Sequence, residues 1–137
     1  PDTLRWHQIW RHTLGNDPAN DVLVYEETDE TFGVGVGKTK SREFLVISCY
    51  QTVSTEYRVL DADAPDGEWR VFAPRERDHE YALDHAGEWF YIRTNADGAK
   101  NFKLMRAPVA DFAKERWEEV IPHRDDVFLE SAQLFQD

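Results

Sequence analysis

Trp69-Arg70-Val71-Phe72-Ala73-Pro74 and Trp117-Glu118-Glu119-Val120-Ile121-Pro122 open alike, close alike and stand 48 residues apart. Each reads as a short strand that opens on a tryptophan and stops at a proline. The same spacing relates Asp78 to Asp126 and, approximately, Phe72 to Val120. Upstream the comparison works at 45 residues, where Phe44 meets Trp89, Tyr57 meets Phe102, Val59 meets Leu104 and Ala62 meets Ala107. The change from 45 to 48 is placed in the connection before the last strand, because Asp61–Glu68 is shorter than Arg106–Arg116.

Working outward, period two holds almost everywhere. Strands are predicted at Thr31–Val36, Glu43–Tyr50, Thr55–Leu60 and Trp69–Phe72, then again at His79–Asp84, Glu88–Thr94, Asn101–Met105 and Trp117–Ile121. Polar turns separate them, and Val109–Arg116 has room for one helical turn. A four-strand unit of 45–50 residues is the period of a β-propeller blade. The fold predicted is therefore all-β: a partial β-propeller with two complete four-stranded antiparallel blades, at about 31–76 and 79–124. Residues 1–30 and 125–137 would supply parts of the flanking blades. A β-sandwich with chance self-similarity is the competing architecture.

Two and a half blades do not close a ring. The chain opens at Pro1-Asp2 without Met, enters an alternating run at once and stops without a capping turn, so a segment cut from a larger propeller is expected. Such a segment would expose apolar faces at both ends: Leu4, Trp6, Ile9 and Trp10 at one, and Val127, Phe128, Leu129, Leu134 and Phe135 at the other. Self-association of the isolated chain is the expected consequence.

The 137 residues carry 16 Lys+Arg against 27 Asp+Glu, a net charge of −11. Phosphate affinity needs clustered cations, so this balance argues against nucleic acid and equally against an anionic membrane surface. No apolar run approaches the roughly 20 residues of a spanning helix, and no basic-then-apolar leader opens the chain. Cys49 is the single cysteine, which rules out an intrachain disulfide and points to a reducing, cytoplasmic location.

Several strings imitate chemistry and fail on spacing. Gly33-Val34-Gly35-Val36-Gly37-Lys38-Thr39 suggests a phosphate loop, but the first glycine required is Phe32 and a strand follows where a helix is needed. An inner strand whose glycines allow close approach fits better. Asp61-Ala62-Asp63-Ala64-Pro65-Asp66-Gly67 has neither the calcium-loop register nor its bidentate acid, since position 72 is Phe. His7, His12, His79, His85 and His123 form no metal-ligand pair and are expected at a surface or interface. Ser41, Ser48, Ser54 and Ser131 sit in no nucleophile elbow. Cys49 is expected to pack, and adjacent acids such as Glu26-Glu27 or Glu118-Glu119 point to opposite faces of a strand. No catalytic, cofactor-binding or metal-ligating residue is predicted.

Arg75-Glu76-Arg77-Asp78-His79-Glu80-Tyr81 carries a resemblance, together with Val22–Glu27, Phe90–Asn95, Asn101–Pro108, Pro122–Arg124 and Val127–Glu130. Over essentially its whole length the chain resembles the propeller of the prolyl oligopeptidase family of serine peptidases, in the branch that cuts after Arg or Lys. The resemblance implies a seven-bladed propeller over an α/β-hydrolase domain with a Ser-Asp-His triad, limiting access to short peptides. No triad residue has a counterpart in this chain. Short basic peptides would be the parent's substrates and the hydrolase domain its partner. The acidic balance suits cationic substrates; it also suits a stand-alone acidic binding module.

Overall fold

The computed structural model describes residues 7–124. A two-stranded antiparallel sheet comes first, β1 (Gln8–Arg11) with β2 (Val22–Glu26). Two four-stranded sheets follow, β3 (Gly33–Lys38), β4 (Phe44–Gln51), β5 (Ser54–Asp61) and β6 (Arg70–Ala73), then β7 (Tyr81–Ala86), β8 (Trp89–Thr94), β9 (Lys103–Pro108) and β10 (Glu118–Ile121). Each four-stranded sheet is a meander in chain order with antiparallel neighbours. This is the blade pattern of a partial β-propeller. The helical turn expected within 109–116 is a single 3-10 turn at Lys114–Arg116.

Alternation decides which side chains meet. Phe44, Val59 and Phe72 of the first blade join Tyr81, Phe90, Ile92, Ala107 and Trp117 of the second in one buried cluster. The opposite face of the first blade buries Val34, Ile47 and Cys49, with Ile9, Tyr25 and Trp69 against them. The first blade is thus covered on both faces. Phe90, Ile92, Ile47 and Val59 are 0% exposed, and each contributes about 1.5–3 kcal/mol by leaving water. Ile9 packs inward here and is no part of an open end face, whereas Trp10 is 53% exposed. The other residues named for the end faces lie outside the described residues.

The ladders correct the repeat. Ile47 pairs with Arg58 and Ile92 with Met105, so a step of 45 on the second strand (47 to 92) goes with 47 on the third (58 to 105). Arg58 pairs with Val71 and Met105 with Glu119, a step of 48 on the fourth (71 to 119), and both ladders shift register there. Trp69 and Trp117 are therefore equivalent, while Tyr57–Phe102, Val59–Leu104 and Ala62–Ala107 are two residues out of step. The cause is the β8–β9 turn, which holds a 3-10 turn at Ala96–Gly98, where the β4–β5 turn is only residues 52–53.

The glycine-rich string forms β3 and is followed by a turn and β4. Only Gly33 is closely approached, and by its own cross-strand partner: a Cβ there would lie 3.1 Å from the Tyr50 ring, whereas at Gly37 it would meet nothing within 4 Å. The expected crowding of this strand is confined to one residue.

Candidate functional site

Charged and nucleophilic side chains converge at the two seams between sheets. At the first, Glu56 and Arg58 stand two apart on β5 and share its face toward the N-terminal sheet, opposite Cys49 and Ile47. Arg58 Nη1 donates to Glu56 Oε1 at 2.7 Å. Arg75, from the connection after β6, donates through Nη2 to Glu56 Oε1 at 2.9 Å and to Glu27 Oε1 at 2.6 Å. Its backbone N–H reaches Glu56 Oε2 at 3.0 Å. Tyr25 donates its hydroxyl to Glu27 at 2.8 Å, and the Asp29 amide donates to the other Glu27 oxygen at 3.0 Å. Arg75 also lies over the Phe32 ring, 3.9 Å from its centroid.

Burial alone would raise both acids. For Glu27 the hydrogen bonds from Arg75, Asp29 and Tyr25 outweigh it and hold the carboxyl at about 2. Glu56 is likewise lowered, against its burial, by Arg75 and Arg58. Cys49 is 0% exposed and packs with Val34 and Ile47, as expected of it, and burial pushes its thiol up. Two anions against two guanidiniums, all committed to one another, have no proton to exchange near neutrality. This cluster ties two sheets together.

The second seam contains a serine–histidine pair. Ser41 Oγ lies 2.7 Å from His85 Nδ1, and Glu43 Oε2 is 4.0 Å from the same nitrogen. In a working triad the hydroxyl and the acid occupy opposite ring nitrogens. Here they crowd one, and His85 is 1% exposed, closed to any substrate. The pair is a latch: the turn 39–43 of the first blade docks on β7 through Ser41–His85 and through the Lys40 amide to Asp84 at 2.9 Å.

Deeper in that seam, the Tyr81 hydroxyl enters the irregularity of the β5–β6 ladder. It accepts from the Tyr57 amide at 2.7 Å and donates to the Ala73 carbonyl at 2.9 Å. One side chain of the second blade thereby satisfies the bulge of the first. His79 is 6% exposed, stacks on Tyr81 at 5.3 Å between centroids, and holds Nε2 2.9 Å from Thr94 Oγ1. Burial, with Lys114 adding to it, lowers its pKa and keeps it neutral at pH 7. His79 and His85 are thus interface residues between blades, one of the two alternatives the sequence left open for the histidines. Among the described residues no three His, Cys, Asp or Glu side chains converge as metal ligands would.

Neither cluster was legible in the sequence. Ser41 and His85 are 44 residues apart, and Arg75 is 48 from Glu27. One signal was available: Glu56 and Arg58 interrupt the buried face of an apolar strand, and buried charges require partners.

The family model for the prolyl oligopeptidase N-terminal β-propeller domain matches residues 1–137. Dipeptidyl aminopeptidase BI of Pseudoxanthomonas mexicana is 46% identical over 98% of this chain, and protease 2 of Moraxella lacunata 30% identical over 95%. This chain spans 18% of the length of each. The structure of oligopeptidase B from Leishmania major superposes with a TM-score of 0.85 at 30% identity, over 94% of this chain and 18% of that one.

Proposed function

The chain belongs to the prolyl oligopeptidase family, within its N-terminal β-propeller domain, and from that premise we propose that it is the non-catalytic propeller segment of a serine oligopeptidase cleaving short peptides after Arg or Lys. The observation that carries this reading is two stacked four-stranded blades across a full-length family match, with their polar groups bonded to one another at the seams. The propeller's role is to gate access to an α/β-hydrolase domain of the same parent, its partner. A surface at −11 raises the local concentration of cationic peptides. A cytoplasmic setting, with one buried thiol, completes the proposal.

The relative at 46% identity is named a dipeptidyl aminopeptidase, which favours a second reading: release of dipeptides from a free amino terminus. A stand-alone acidic binding module is the alternative of a different class. Assay of the intact parent protein separates them, using one fluorogenic peptide cut after Arg, with its amino terminus either blocked or free. Turnover of the blocked peptide is expected. Turnover of the free form alone would establish the second reading, and turnover of neither, with binding retained, the third.

A further inference from the structure

Residues 76–79, the β8–β9 turn and Lys114 enclose a cleft of about 390 Å³ at the seam between blades. Its walls are fixed. The Asn95 side chain donates to the Asp78 carbonyl at 3.1 Å and accepts from the Glu80 amide at 2.8 Å. At its floor is His79, whose Nδ1 is buried and has no hydrogen-bond partner.

The bonding around Thr94 decides what that nitrogen offers. Thr94 is 0% exposed and its Oγ1 already accepts from the Ala96 amide at 3.1 Å. Its own hydroxyl proton needs an acceptor, and His79 Nε2, 2.9 Å away, provides one. A neutral imidazole that accepts at Nε2 carries its proton on Nδ1, which makes this buried nitrogen an N–H donor without an acceptor, behind Glu76. The nearest anionic oxygen is Glu76 Oε2, 3.8 Å from Nδ1 and beyond bonding range. The same oxygen lies 3.5 Å from Lys114 Nζ. Glu76 is 60% exposed and is held there by little, because exposed ion pairs are weak. Of the other two acids on the cleft, Asp97 faces Lys103 Nζ at 3.4 Å and Asp78 faces Arg77 Nε at 4.0 Å, and Lys100 adds a further cation to the lining.

We propose that this cleft binds the C-terminal carboxylate of a short peptide, which accepts from His79 Nδ1–H and Lys114 Nζ in the place that Glu76 now borders. The peptide as source of the carboxylate rests on the peptidase reading, since each cleavage creates a new C-terminal carboxylate; the carboxylate chemistry stands on the cleft alone.

The test is titration of the intact parent protein with N-acetyl-Ala-Arg, its C-terminal amide and acetate, followed by the NMR signals of the His79 ring, assigned with His79→Gln. The free-acid peptide should shift those signals saturably while the amide does not. Lys114→Gln should weaken binding about tenfold, the value of one charge-assisted hydrogen bond. Glu76→Gln should strengthen it about threefold by removing a competing carboxylate. An equal response to the amide, or weakening by Glu76→Gln, overturns the carboxylate site. Acetate binding as tightly as the peptide overturns the peptide as ligand and leaves the peptidase reading untouched.

Discussion

Arg75 allows two carboxylates to remain buried between the N-terminal sheet and the first blade, with Glu27 only 4% and Glu56 6% exposed. Arg75→Ala leaves both without their main cation and should cost about 3 kcal/mol in urea denaturation, because unpaired buried charge is far dearer than a lost surface pair. The pH dependence follows from Glu27, held at about 2 against an ordinary 4.5. A depressed carboxyl contributes its full stability above the ordinary value and loses it as pH falls toward the lowered one. The chain should therefore lose stability between about pH 5 and 2, and Arg75→Ala should flatten that slope. Tyr81→Phe removes one oxygen that serves Tyr57 and Ala73. Stranding a buried amide should cost about 1–3 kcal/mol, read from the same unfolding curves. The identity of these residues was plain in the sequence and their company was not, because Glu27, Glu56 and Arg75 meet only once sheets have stacked.

Strands were legible for a simple reason: Phe44–Gln51 and Trp89–Thr94 are short runs dense in aromatic and β-branched residues bounded by polar turns, and tryptophans precede β6 and β10. Turn length was not. The sequence comparison held one offset through β5 and β9, but the longer connection at 95–102 puts a net two extra residues between equivalent ladder positions, relative to the tight turn at 52–53. A shift of two keeps every side chain on its original face, so the burial pattern gave no warning. The turn 39–43 shows how elements are joined afterwards. Ser41→Ala should cost only about 1 kcal/mol yet raise hydrogen exchange at the Lys40 amide, which is anchored on Asp84 beside it. By contrast Phe90→Ala, at 0% exposure between the blades, should cost about 3–5 kcal/mol.

On the scale of the whole molecule, face-to-face stacking covers both sides of the first blade, while Val36, Val120, Ile121 and Trp10 remain 42–60% exposed. Burial of such surface is worth about 25 cal/mol per Å², and repulsion from the −11 charge is screened within about 10 Å at 0.1 M salt. The isolated chain should thus sediment as a dimer or larger species and loosen as salt is lowered; a clean monomer at high concentration and physiological salt would contradict this. The central claim is that the residues of this chain build and hold blades and perform no hydrolysis themselves. The most direct test is hydrolysis of a fluorogenic Arg-containing peptide by the purified 137-residue chain, beside Ser41→Ala and a serine-directed inhibitor. The account predicts a rate indistinguishable from buffer for both proteins. Turnover that the inhibitor stops and that Ser41→Ala abolishes would contradict it.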